Sequence, residues 1–158
     1  MINSVDIKKF KEAVEEFFQK ATLSVEVEIL PGEEEGAVSV NLTVSDPQIL
    51  IGERGQTLLE TQRLLKAVLK RKLALSEPFY LNLDINSYKQ KKREYLQELA
   101  RSAADEVSLS RKEKVLPPMS AYERRTVHLE LAGNPRVETE SIGQGQDRRL
   151  VVRPSPQP

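Results

Sequence analysis

With 158 residues, 39% of them hydrophobic and 30% charged, the chain has enough apolar material for one compact unit or two small, closely packed domains. Twenty-four Lys and Arg balance twenty-four Asp and Glu, so no global basic field points to a polyanionic partner. The charge is nevertheless uneven: residues 1–86 hold ten basic against fourteen acidic side chains, net −4, and residues 87–158 hold fourteen against ten, net +4, which makes the second half the stronger electrostatic footprint for nucleic acid.

In chain order, Ser4 reads as the N-cap of a helix from Val5 to Thr22, in which Val5, Phe10, Val14, Phe17 and Phe18 recur at helical spacing. Two strands follow. Val25, Val27 and Ile29 alternate with Glu26 and Glu28, and Val38, Val40, Leu42 and Val44 alternate with Ser39, Asn41 and Thr43, around a turn from Pro31 to Gly36. Asp46-Pro47 predicts an N-cap and a proline at the first position of a very short helix. The run Leu50-Ile51-Gly52-Glu53-Arg54-Gly55-Gln56-Thr57-Leu58 then sets two glycines between apolar helical segments, ahead of a helix from Thr57 to Leu73. Arg63, Lys66 and Lys70 form one stripe of that helix, either a solvated face or a flank of the glycine loop. Leu81, Leu83 and Ile85 alternate with Asn82 and Asp84 as a third strand.

The second half begins without a linker. Asn86-Ser87 is expected to cap a helix from Tyr88 to about Leu109 with the apolar stripe Tyr95, Leu99, Ala103 and Val107. Lys89, Lys91, Lys92 and Arg93 make its first turns basic, against the helix dipole, so stability does not explain them; they form a solvated face or a phosphate-facing one. Beyond Pro117-Pro118, Ser120-Ala121-Tyr122-Glu123 is a capping box that starts a helix running to Ala132, with Gly133 at C′. Arg124 and His128 lie four apart and project from one face of it. Two strands, around 137–141 and 149–153, flank a turn from Gly143 to Asp147, and residues 155–158 form a frayed tail.

Glycine lacks Cβ, so Gly52 and Gly55 suit a loop that lets an extended phosphodiester lie against main-chain N–H groups at a helix start. Four letters alone also describe a plain helical turn. Around the loop, however, the order helix, strand, strand, helix, loop, helix, strand is that of the bacterial type of K-homology (KH) fold, in which Gly-x-x-Gly clamps about four nucleotides.

Beyond the loop run, Leu83-Asp84-Ile85-Asn86-Ser87-Tyr88, Pro118-Met119-Ser120-Ala121-Tyr122-Glu123-Arg124-Arg125-Thr126-Val127-His128 and residues 138–154 complete four ordered motifs. Through them the chain resembles, over nearly all its length, the Jag family, also called SpoIIIJ-associated proteins or KhpB. That resemblance implies an α+β protein with a type II KH domain over residues 1–86, packed against a small α/β Arg-x-x-x-His domain over 87–154. It implies a single-stranded RNA-binding protein of the bacterial cytoplasm, a post-transcriptional regulator tied to cell elongation, division and envelope growth, with a second small KH protein as a partner. The Gly-x-x-Gly carries over to Gly52 and Gly55 and the Arg-x-x-x-His pair to Arg124 and His128. Two features depart from the family. Many relatives carry a further N-terminal domain and charged linker, whereas Met1 here stands close to the first helix; the usual basic loop residues give way at one place to Glu53.

The expected RNA contacts are therefore Gly52, Glu53, Arg54 and Gly55, flanked by Arg63 and Lys66, and a second set of Arg124, Arg125, His128 and Lys89. The absence of cysteine removes disulfides, thiolate metal sites and cysteine nucleophiles. His128 is the only histidine, so no multi-histidine zinc site exists, and no triad-like order surrounds it. No catalysis, metal or cofactor is expected. No signal peptide is visible, and apolar runs such as Leu64 to Lys70 are too short and charged to span a bilayer. Nothing in the sequence decides whether the chain forms homo-oligomers. The alternative reading is a protein-interaction adaptor for envelope machinery, with incidental RNA binding.

Overall fold

The structure, a computed structural model, describes residues 4–32 and 36–156, with side chains from Ile7 onward. The chain divides into two compact units, residues 1–89 and 90–158. The expected turn at 31–36 has its centre, Glu33 to Glu35, outside the described residues, as do Gln157 and Pro158 of the expected tail.

The first unit runs α1 (Ser4–Lys20), β1 (Glu26–Pro31), β2 (Ala37–Thr43), α2 (Gln48–Ile51), a 3₁₀ turn (Glu53–Gly55), α3 (Gln56–Lys72) and β3 (Tyr80–Ile85). Its sheet has the order β1-β2-β3. β1 and β2 pair antiparallel, whereas β2 and β3 are parallel, with Val40 opposite Leu83 and Leu42 opposite Ile85. Parallel neighbours need a crossover, and α2, the glycine loop and α3 supply it. Period-two alternation sends Val27, Ile29, Val38, Val40, Leu42, Leu81, Leu83 and Ile85 into one core with Phe10, Val14 and Phe18 of α1 and Leu58, Leu65 and Leu69 of α3. The other sheet face carries Glu26, Glu28, Asn41, Asn82 and Asp84.

The mixed α+β content and the element order are as expected apart from an additional two-residue strand at Lys114–Val115, but three helix starts differ. Ser4 lies inside α1 rather than ahead of it, and its side chain is outside the described residues. Pro47 has helical dihedrals and its carbonyl accepts from the Leu50 and Ile51 N–H groups, yet the Asp46 carboxylate makes no capping bond. Asn86 and Ser87 turn through φ of 49° and 56°, far from the extended backbone an N-cap adopts. Asn86 instead joins the ends of β2 and β3: its amide accepts from Val44 N–H and donates to Val44 C=O, both at 2.9 Å. Asp84 Oδ1 takes the capping role, accepting the Lys89 N–H at 3.2 Å.

The second unit contains all but the first two residues of α4 (Tyr88–Ser110), then β4 (Lys114–Val115), α5 (Ala121–Leu131), β5 (Val137–Ile142) and β6 (Arg149–Pro154). Its sheet is antiparallel, ordered β4-β6-β5. Leu96, Ala100, Ala103, Ala104 and Val107 of α4 pack with Leu116, Met119, Val127, Leu131, Val137, Leu150 and Val152. The buried stripe thus begins at Leu96, not Tyr95. Three alanines let the helix approach closely, while Tyr95 stays 58% exposed with the Lys92 amine 5.7 Å above its ring.

Candidate nucleic-acid interface

The glycine loop is built from positive φ angles. Gly52 has φ 70° and ψ −174°, a region essentially closed to other residues, and Gly55 is left-handed at φ 79° and ψ 13°. Space is short as well: a Cβ on Gly52 would lie 2.0 Å from Thr57 Oγ1, and one on Gly55 would lie 3.1 Å from the Tyr88 ring. Between them Arg54 takes φ 52°, and both Glu53 and Arg54 are exposed. Gly55 is also the N-cap of the 17-residue α3, whose start has no side-chain cap and no acidic residue in its first turn. Helix starts leave unpaired N–H groups and a positive dipole end, the two requirements for holding an anion; here the Gly55 and Gln56 N–H groups bond to the Gly52 and Glu53 carbonyls, so the donors that lack a side-chain cap are those that follow Gln56.

Lys66 does not lie at this loop, whereas Arg63 is linked to its edge through Glu60, whose carboxylate also accepts from the Gln56 side-chain amide at 2.9 Å. Arg63 pairs with Glu60 at 3.0 Å, and the Lys66 amine sits 5.7 Å over Phe79 and 5.5 Å over Tyr80. At 1.5 Å rise per residue, Lys66 is roughly 15 Å along α3 from Gln56, near the opposite end of β3. Tyr88 belongs to the loop without having been expected there. The signal for Tyr88 is its place in the Leu83 to Tyr88 run, although contact with Gly55 depends on the left-handed turn at Asn86-Ser87.

In the second unit the capping box is fully formed: Ser120 Oγ accepts from Glu123 N–H at 3.2 Å, and Glu123 Oε2 accepts from Ser120 N–H at 2.7 Å. Glu123 is buried and pairs with Lys92 at 2.7 Å. Burial pushes its carboxyl up, but the Lys92 ammonium and the Ser120 N–H outweigh that and hold it below the ordinary value. This buried network fixes the start of α5, and with it the residues that follow. Arg124 is half-buried and donates to the Met119 carbonyl at 2.7 Å. His128 is exposed one turn on, with Nδ1 2.5 Å from Thr139 Oγ1 of β5. Each spends one polar atom on the scaffold and has others without a partner among the described residues. Thr139 gives no signal in the sequence, because a partner across α5 and β5 needs the tertiary fold.

Arg125 lies on a different side. With Arg93, Gln97, Tyr122, Thr126, Leu129 and Glu130 it lines a groove of ≈ 520 Å³ between α4 and α5. Lys89 belongs to the first unit, where its amine donates to Asn82 Oδ1. Among the described residues no cluster of His, Cys, Asp or Glu suits a metal ion, and no helix is long and apolar enough to cross a membrane.

Residues 94–154, which hold the capping box, Arg124 and His128, match the R-three-H domain, named for its Arg-x-x-x-His signature; the second unit is of that class. Similarity extends well beyond it. The chain is 33% identical over 141 residues to the RNA-binding protein KhpB of Clostridium symbiosum, covering 89% of this chain and 63% of that protein. It is 34% identical over 122 residues to the RNA-binding protein KhpB of Bacillus subtilis, covering 76% and 58%. The corresponding Streptococcus pneumoniae protein is 27% identical over 149 residues, covering 93% and 45%. The chain is thus similar over most of its length to proteins of the KhpB (Jag) family, and it spans about 45–63% of the length of these relatives.

Proposed function

We propose that the chain binds single-stranded RNA without catalysis, through a type II KH domain in its first unit and the R-three-H domain in its second. The observation that carries this reading is the uncapped start of α3 behind Gly52 and Gly55, where backbone donors and the helix dipole favour phosphate. Gly52 to Gly55 clamp the backbone, while Arg124 supplies charge-assisted bonds to phosphate and His128 a hydrogen bond or a stacking surface. The relatives' names as RNA-binding proteins support the ligand class. In keeping with the family resemblance, the protein acts in the bacterial cytoplasm as a post-transcriptional regulator of elongation, division and envelope growth, together with a second small KH protein.

Fluorescence anisotropy with mixed-sequence single-stranded RNA at low salt tests this directly. The double variant Arg124→Ala, His128→Ala is expected to lose about tenfold or more in affinity while the unit stays folded, since neither residue lies in the core. Absence of binding by the parent protein, with recovery of a defined protein from lysate, would replace this reading by the adaptor.

A further inference from the structure

The groove between α4 and α5 is not explained by the Arg124 and His128 face. Tyr122, Arg125 and Leu129 recur at i, i+3 and i+7, a separate stripe rotated about 100° around α5 from Arg124. Tyr122 is 55% and Leu129 61% exposed, so neither serves the core. Lys92, Arg101, Lys114, Arg136, Arg149 and Arg153 of this unit are each in an ion pair. Among the described residues of this unit, the side chains of Lys91, Arg93, Lys112 and Arg125 make no hydrogen bond or ion pair, and two of these four, Arg93 and Arg125, line the groove. The carboxylate on the same wall, Glu130, is already held by Arg101 at 2.7 Å and by Gln97 at 3.1 Å. An exposed phenol ring and two unpaired guanidinium groups thus line one solvent-facing groove.

We propose that this groove is a second RNA subsite, in which one unpaired base stacks on Tyr122 beside Leu129 while Arg93 and Arg125 take the flanking phosphates. Base stacking on aromatic rings, combined with cationic contacts to the backbone, is the general mode of single-strand binding. Two unpaired guanidinium groups disfavour an apolar protein helix as occupant. The assignment rests on the RNA-binding reading above and adds a strand path across α5, from the Arg124 and His128 face to the groove.

The full chain is titrated with a fluorescein-labelled oligouridylate at several salt concentrations. Tyr122→Leu keeps apolar volume but removes the stacking plane, so affinity falls by roughly tenfold with an unchanged slope of log affinity against log salt. The pair Arg93→Gln, Arg125→Gln lowers that slope by about 1.4, for two phosphates at roughly 0.7 each. All three side chains are exposed, and unchanged thermal melting verifies the fold. Groove variants that bind like the parent, while Arg124→Ala weakens binding, overturn the subsite and leave the RNA-binding reading standing. An arginine pair that weakens binding without changing the slope overturns it too. If the parent protein binds no oligouridylate, the RNA-binding reading fails and the subsite with it.

Discussion

The two units begin their central helices in opposite ways. α5 starts behind Ser120 in an extended conformation, with a complete capping box, a buried Glu123 and the Lys92 ammonium on that carboxylate. α3 starts behind left-handed Gly55 with no side-chain cap and no acidic residue in its first turn. Every helix faces the same deficit of partners for its first N–H groups. The second unit meets it with side chains and gains stability, whereas the first meets it only in part, through the 3₁₀ turn, where the Gly52 and Glu53 carbonyls accept from the Gly55 and Gln56 N–H groups, and supplies no side-chain acceptor for the next donors. Consequently the second unit's candidate contacts are side chains on helix faces, and the first unit's are backbone groups at a helix end.

Glu123→Ala tests the closed start and carries the largest expected effect. It leaves Lys92 without its carboxylate and Ser120 N–H without an acceptor, at a cost of about 3 kcal/mol to folding. Denaturant unfolding of the second unit should shift accordingly; a midpoint unchanged within error would show that the box does not stabilise α5. The same network sets an acid dependence. The folded carboxyl lies below its ordinary value of 4.5, so its stabilisation is complete above that pH and is lost as pH falls through the folded value. Acid titration of Glu123→Gln should therefore show a shallower loss of stability below pH 4.5 than the parent.

Gly52→Ala tests the open start. The backbone at φ 70° and ψ −174° and the 2.0 Å approach to Thr57 Oγ1 together cost on the order of 2 kcal/mol, and moving Thr57 disturbs the first turn of α3. Lower stability with weaker RNA binding is expected. A variant that melts and binds like the parent would mean that this glycine geometry is dispensable. Aspartate at positions 52 and 55 would mix strain with charge repulsion, because Gly55 is also closed off, by Tyr88.

Most of this architecture is legible in the sequence because short-range patterns carry it. Period-two alternation marks β1, β2 and β3, and Ser120 to Glu123 spell out the capping box in full. What escapes depends on contacts between distant segments. Asn86 resembles a cap because asparagine favours caps, yet Val44, 42 residues earlier, claims both ends of its amide and leaves the capping role to Asp84. The α4 stripe keeps Leu99, Ala103 and Val107 but starts at Leu96 instead of Tyr95, because both are apolar enough for it and only close packing through alanines favours Leu96. Lys66, expected beside the loop with Arg63, lies well along α3 over the Phe79 and Tyr80 rings, a contact that only the tertiary fold creates.

Glu53→Lys sharpens the comparison with the smallest expected change. In α5 the acidic residue at the helix start closes the network that holds it; in the first unit Glu53 sits exposed between Gly52 and Arg54, near the positive end of α3 and on the path assigned to phosphate. Its carboxylate interacts favourably with the dipole but repels a phosphodiester, so stability and affinity should move in opposite directions on reversal. Slightly lower thermal stability is expected, with RNA affinity rising several-fold at low salt and the gain shrinking as salt screens it. One further neutralised phosphate also steepens the slope of log affinity against log salt by roughly 0.7. A folded variant with unchanged affinity and slope would show that RNA does not cross the glycine loop. Binding would then rest on the side chains of the R-three-H domain, and the uncapped start of α3 would lose its anion.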